Sequence, residues 1–417
     1  MELWISIVGG LALLLFTFLL ILRTCARVPE LRRCQAWLVF CACIWAAFFL
    51  FKQAWPDAIM PPADADWHHD MGVEVAKAFH LGGWRDAASM FGVGNAGFDF
   101  VIGLMYSVTS PNRPLITAVL TVFAFWGGLL LLELLVKGTG AARIPWLLVA
   151  FITMCPTAVF WSVDVLKEGP VYWGSCAALH ACLGGSRGGH RQSLLLPIIG
   201  ICVVAFMRPH IAMVWIAALG FGAVMVAGRW GFAFLLVLVA GVSTHLLYTM
   251  IPDVMDDMGS RGIVETVQSE YQLRSQLGGS AIQYVSGKPI PVLSGMLLLT
   301  LRPFPTEIPS LLAIIPTAEV WFLSFIGLWN WQRLRNRYAV LLSPVIATAL
   351  GAFIMFSFQF SYMYNMGLMI RQRLMVLPAM FMLSFVPLLA RQVSEMAGTR
   401  EVLSNARLWR LHLQQNH

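Results

Sequence analysis

Charge is scarce in this chain. Only 12% of its 417 residues are Asp, Glu, Lys or Arg, while 59% are hydrophobic; a soluble domain carries about 25% charged residues. This excludes a string of soluble domains, so length does not convert into a domain count, and residues 1–417 read as a single integral membrane domain. Open sheet edges cannot face lipid, so the spans should be helices. Eight cysteines are present (Cys25, Cys34, Cys41, Cys43, Cys155, Cys176, Cys182 and Cys202). None lies in a long polar loop and their spacing fits no metal site, so no disulfide framework is expected. No repeat of fixed period and no low-complexity linker divides the chain. A cleavable signal peptide is not expected, because the first apolar run is too long for a signal core and is followed by arginines. Acidic groups are nearly absent from the apolar runs. The net charge of +7 suits Arg- and Lys-rich cytoplasmic loops better than a nucleic-acid partner.

What is there is a succession of about eleven apolar runs of bilayer length, roughly 20 residues each. They lie near 3–22, 35–51, 114–136, 144–163, 170–185, 192–207, 211–228, 231–251, 310–331, 338–360 and 374–390. The stretches 93–108 and 290–301, interrupted by Gly, Pro or Asp, read as interfacial or re-entrant. The expected fold is an all-α polytopic membrane protein. Arginine-rich segments follow the first, fifth and ninth runs and fill the tail, residues 391–417. Placing all of these in the cytoplasm puts the N-terminus outside and the C-terminus inside. Two long loops, 52–113 and 252–309, are then external. The tail reads as a cytoplasmic anchoring helix, and the second loop as a mobile polar segment gating or closing over a site.

The first loop holds the densest chemistry. Asp64, Asp66, His68, His69 and Asp70 fall within seven positions, followed by "MGVEVAKAFHLGGW". Val75, Ala76 and Phe79 recur at helical spacing, which predicts a helix over about 68–81 on the membrane surface. Asp66 would cap its start, and Gly82 and Gly83 would end it. Two readings stand side by side. Asp66 is a helix cap and its neighbours are solvated charges; or Asp64 and Asp66 form a carboxylate pair at a cavity rim, serving as general base, as ligands for a hard divalent cation such as Mg or Mn, or both. Adjacent histidines on a helix point in different directions, so at most one of His68 and His69 should face the cavity. They do not make a HExxH-type zinc site.

An external loop with an acidic pair, followed by an alanine-bearing helix ending in "GGW", resembles the GT-C glycosyltransferases. The resemblance implies a polytopic enzyme using a polyprenyl-phosphate-linked sugar donor, with Asp64 and Asp66 at the acidic-pair positions. This chain departs from the pattern in one respect, since its acidic loop follows the second span. "MCPTAVFWSVDVLKEGPVYW" resembles an external junction of related polysaccharide-assembly proteins and carries Pro156, Trp161, Ser162, Lys167 and Glu168. The same lysine and glutamate also read as a salt-bridged turn. "YNMGLMIRQRLMVLP" resembles the late Arg-x-Arg ending of such proteins, with Tyr364, Asn365, Arg371 and Arg373. Arg208 and His210 lie in "FMRPHIAM", and Arg302 and Glu307 in "LRPFPTEIPS".

These arginines sit at external helix ends, where the orientation rule predicts few. Arginine at the membrane edge is costly unless paired or reaching the interface, and its planar fork matches phosphate oxygens. Arg208, Arg302, Arg371 and Arg373 are therefore candidate phosphate-binding residues, with His68, His69, Asp70, Lys167, Glu168, His210, Tyr364 and Asn365 in support. The expected partners are a polyprenyl-phosphate-linked sugar, a glycan or lipid acceptor, and membrane lipid. The expected location is a bacterial inner membrane with the site facing the periplasm. Two alternatives remain open: a repeat-unit polymerase or O-antigen ligase using a pyrophosphate-linked donor, and a non-catalytic flippase or transporter. The absence of a large soluble C-terminal domain argues against protein N-glycosylation.

Overall fold

The computed structural model describes residues 2–55, 63–141, 143–183, 194–227, 291–304, 307, 314–334, 344–360 and 366–389. The described residues form helices and no strand. The elements are α1 (Glu2–Arg27), α2 (Gln35–Ala54), α3 (Ala63–Ser89), α4 (Asn95–Thr109), α5 (Arg113–Thr139), α6 (Trp146–Thr153), α7 (Pro156–Ser162), α8 (Glu168–Leu179), α9 (Leu195–Met207), α10 (Pro209–Ala227), α11 (Pro291–Thr300), α12 (Ile314–Leu334), α13 (Pro344–Phe360) and α14 (Met366–Gln372). The last described helix, α15 (Leu377–Leu389), follows α14 and its terminal 3-10 turn at a bend of 59°. The predicted span at 231–251, the tail, most of the second loop, Tyr364 and Asn365 lie outside the described residues.

Among the described residues, three helical stretches are long and apolar enough to cross a membrane: Trp4–Arg27, Pro29–Ala54 and Arg113–Thr139. The bent pair formed by Met369–Met375 and Leu377–Leu389 makes a fourth if it is counted as one span. Shorter apolar helices surround them. The outer face of α1 leaves Trp4, Leu11 and Leu15 uncovered, as a lipid-facing helix should. α5 is the buried axis of the bundle, enclosed on every side from Leu129 to Val136, where its side chains are apolar apart from Glu133. A helix hydrophobic all round belongs in such a core.

Two ends of the bundle can be told apart. Gly9 near the start of α1 packs against Phe49 near the end of α2 and the Pro114 carbonyl at the start of α5. At the other end of α1, Arg27 pairs with Glu133 at 2.9 Å, and Lys137 bonds the same carboxylate at 2.7 Å. Arg32 and Arg33 lie in the turn just beyond Arg27. The Arg27 end thus gathers Arg27, Arg32, Arg33 and Lys137, and the Gly9 end carries the candidate chemistry.

Several expectations need correction. The predicted span at 144–163 is broken between Thr153 and Pro156, because proline has no N–H for the helix ladder; its two pieces are α6 and α7. The surface helix does break at Gly83, as its glycines predict, but a second helical segment follows directly. Gly83 takes φ 75°, a conformation that costs glycine little, and α3 resumes beyond this kink because Ala87 packs in a cluster with Val75 and Phe100. Asp66 is not an N-cap, since the helix starts at Ala63 and both Asp64 and Asp66 lie in its first turn. The stretch 93–108, expected as an interfacial or re-entrant piece, forms the 15-residue helix α4. α3 and α4 pack closely, with Gly72 and Gly103 at the crossing.

Candidate functional site

The site is built where three interruptions of helix meet. After Ser162 the chain turns through Asp164, whose own carboxylate accepts the Val165 N–H at 2.8 Å, and α8 restarts at Glu168. The next residue must be small: a Cβ on Gly169 would lie 2.5 Å from the Leu120 carbonyl. Only glycine lets the start of α8 press against α5. Glu168 therefore enters the bundle wholly buried, at a helix N-terminus that favours negative charge. The second interruption is α9–α10, where Pro209 opens the new helix and leaves Arg208 at the junction. The third is α14, which tightens into a 3-10 turn and bends, presenting Arg371.

Glu168 Oε1 receives Arg208 Nη2 at 2.5 Å and Arg371 Nε at 2.6 Å. Arg371 Nη1 also contacts Asp64, whose side chain is 57% exposed. The early acidic stretch and the late arginine corner thus meet in space, 307 residues apart in sequence. The Arg371 guanidinium carbon lies 5.9 Å from the Trp161 ring centre, within reach of a cation–π attraction. Lys167 bonds Asn95 at the start of α4. Three cations therefore face two carboxylates. Among the described residues, Arg371 Nη2, Arg208 Nε and Glu168 Oε2 have no hydrogen-bond partner although buried. Burial raises the Glu168 carboxyl, but Arg371 and Arg208 outweigh it and hold it down at about 2. Burial and then Arg208 push the Lys167 ammonium down, to about 7, against the pull of Glu168.

Asp66 goes elsewhere. It pairs with Arg113 Nη1 at 2.6 Å, and Arg113 Nη2 reaches Asp164 at 2.9 Å. Lys52 at the end of α2 closes this second network on Asp164 at 2.8 Å. Arg113 is placed by the start of α5, where Asn112 caps the helix by accepting the Leu115 N–H. Burial raises the Asp164 carboxyl, but Lys52 and Arg113 together bring it below its ordinary value. The two aspartates thus latch the start of α3 to different elements, and each carboxylate is met by its own guanidinium. In this arrangement the two carboxylates do not share one site. Among the described residues no group of three or more His, Cys, Asp and Glu could hold a metal.

The remaining predicted residues are scattered. His68 Nδ1 lies 2.5 Å from Asp99 Oδ1, both side chains buried, and His69 Nδ1 lies 2.7 Å from the Tyr106 hydroxyl. Both histidines thus fasten α3 to α4. Burial and then Arg113 lower the His69 imidazole. Asp70 and His210 are exposed. Arg302 closes a local pair with Glu307 at 2.7 Å, and no described contact brings it to the cluster. Arg373 is buried and donates to the Leu298 carbonyl at 2.6 Å, with Nε and Nη1 unpartnered among the described residues. Sequence reasoning missed Lys52, Arg113, Asp164, Asp99 and Tyr106. Arg113 and Lys52 could have been found, because both break the same expectation of few external cations that singled out the other arginines. No protein-family model, curated protein or solved structure matches the chain.

Proposed function

We propose that this chain moves a sugar from a polyprenyl-phosphate-linked donor to an acceptor hydroxyl at the non-cytoplasmic face of a bacterial inner membrane. The observation that carries the reading is the Asp64–Arg371–Glu168–Arg208 cluster. It gathers an exposed carboxylate, two buried guanidiniums with unused donors and a lysine poised near neutrality at one end of an apolar bundle. That end lies opposite Arg27, Arg32 and Arg33, which favours the outer face.

Donor phosphate oxygens take the Arg371 and Arg208 donors and displace Asp64 from Arg371. Glu168 cannot leave, since it is wholly buried and holds both arginines in position. Asp64, freed and solvent-facing, accepts the proton of the acceptor hydroxyl. The acceptor oxygen bonds to the anomeric carbon as the carbon–oxygen bond to phosphate breaks, and the electron pair goes to the phosphate. Fixed positive charge at that oxygen stabilises the leaving group. One displacement inverts the anomeric centre. Neither carboxylate needs a metal in this scheme.

The test is purified protein incubated with isotope-labelled polyprenyl-phosphate sugar and, separately, a pyrophosphate-linked donor. Label transferred to an acceptor by the wild type, and lost in Asp64→Asn, supports the reading. Movement of intact donor across the bilayer without bond cleavage replaces it with a flippase. Cleavage of the pyrophosphate donor alone replaces it with a polymerase or ligase.

A further inference from the structure

Glu319 is an acidic residue inside an apolar helix, α12, with 3% of its surface exposed. Unlike Glu133, which has Arg27 and Lys137, it has no described cation beside it. Its Oε2 accepts two hydrogen bonds from one residue, the Thr157 N–H at 2.9 Å and the Thr157 hydroxyl at 2.6 Å. Its other oxygen has no hydrogen-bond partner among the described residues, and the Cys155 thiol lies against the carboxyl.

The location explains the arrangement. The break at Cys155–Pro156 makes a new helix start, and a helix start leaves backbone N–H groups without partners. Pro156 has none to offer, and Cys155 supplies no side-chain cap. The Thr157 N–H would then be an orphan in an apolar interior, where an unmet donor is expensive. Glu319 meets it from a helix 162 residues away, acting as the missing cap. α7, so held, carries Trp161 beneath Arg371. Its last residue, Ser162, is tied to α5 by the Thr121 hydroxyl at 2.9 Å. The chain then turns directly into Asp164, Lys167 and Glu168.

We propose that Glu319 is a positioning residue for the site: by holding the start of α7 it fixes Trp161 and the Asp164–Glu168 corner against the arginines. The transfer arm of the test rests on the proposed function; the exchange arm does not. In the full chain in detergent, hydrogen–deuterium exchange should rise about ten-fold or more over residues 157–168 in Glu319→Ala. Exchange in the middle of α5 should stay unchanged. Glu319→Gln should restore wild-type protection, because its amide oxygen accepts the same two bonds. Thr157→Val keeps the shape and the N–H but loses the hydroxyl donor, and should show a smaller rise in the same stretch. Turnover should fall in Glu319→Ala and recover in Glu319→Gln. Wild-type exchange in both Glu319→Ala and Thr157→Val overturns the proposal, as does a Gln variant as impaired as the Ala variant. If no form transfers sugar, the functional reading fails while the exchange pattern still decides this one.

Discussion

Arg371→Ala and Asp64→Ala remove opposite ends of one contact, yet their effects should differ in kind. The Asp64 side chain is 57% exposed and that of Arg371 9%. A pair with so exposed a member contributes about 0–1 kcal/mol to folding, so Asp64→Ala should cost at most about 1 kcal/mol. Arg371 also donates to the buried Glu168, and stripping one partner from a buried pair costs about 3–5 kcal/mol. Arg208 remains on the same oxygen, which places the loss at the lower end, about 3 kcal/mol. Losing the contact with Trp161 adds about 0.5–1 kcal/mol. Denaturant unfolding in detergent would read both variants, and a double-mutant cycle with Glu168→Gln isolates the buried term. Arg371→Ala should cost clearly less in the Gln background, where no buried carboxylate is left to lose a partner. The reasoning is refuted if Asp64→Ala destabilises as much as Arg371→Ala, or if the two changes in the cycle simply add.

Lys167 titrates near 7 in the folded chain, against an ordinary 10.5. Its positive charge is therefore lost as pH rises through about 7, and binding of a phosphate probe should weaken over that range in the wild type but not in Lys167→Met. Between about 7 and 10.5 the unfolded chain holds the extra proton, so this group makes stability rise with pH there. Asp164 shows the acid-side counterpart. Its carboxyl is depressed below the ordinary 3.8, so its contribution is full above that value and is lost as pH falls through the folded one. Lys52→Met, by removing part of the depression, should make this acid limb shallower in an unfolding titration. Gly103→Ala would put a Cβ 2.4 Å from Val75; an overpacked helix crossing costs about 1–3 kcal/mol, measurable as a lowered denaturant midpoint.

The fold class was legible because scarcity of charge and repeated apolar runs leave few alternatives to a helical membrane bundle. The broken helix at Pro156 was also visible in principle, as proline in an apolar run demands a partner for the freed backbone, but the residue supplying it, Glu319, lies far along the chain. The candidate site was half legible. Asp64 and Arg371 each carried a local signal, scarce charge at a helix end, and their contact needed only that both ends face the same way. The separate fates of Asp64 and Asp66 were not legible. Two residues apart on a helix they point in different directions, and which guanidinium each meets depends on where α5 and α14 end. Arg302 and Arg373 looked equivalent to Arg371 in sequence, yet one found Glu307 five positions away and the other turned inward to a carbonyl.

The most direct test is a structure of the full chain with a polyprenyl-phosphate sugar bound. The account predicts the donor phosphate on Arg371 and Arg208, Glu168 still holding both arginines, and Asp64 released to within hydrogen-bond reach of the acceptor position. A phosphate seated elsewhere, or Asp64 still paired with Arg371 while the donor is bound, would contradict it.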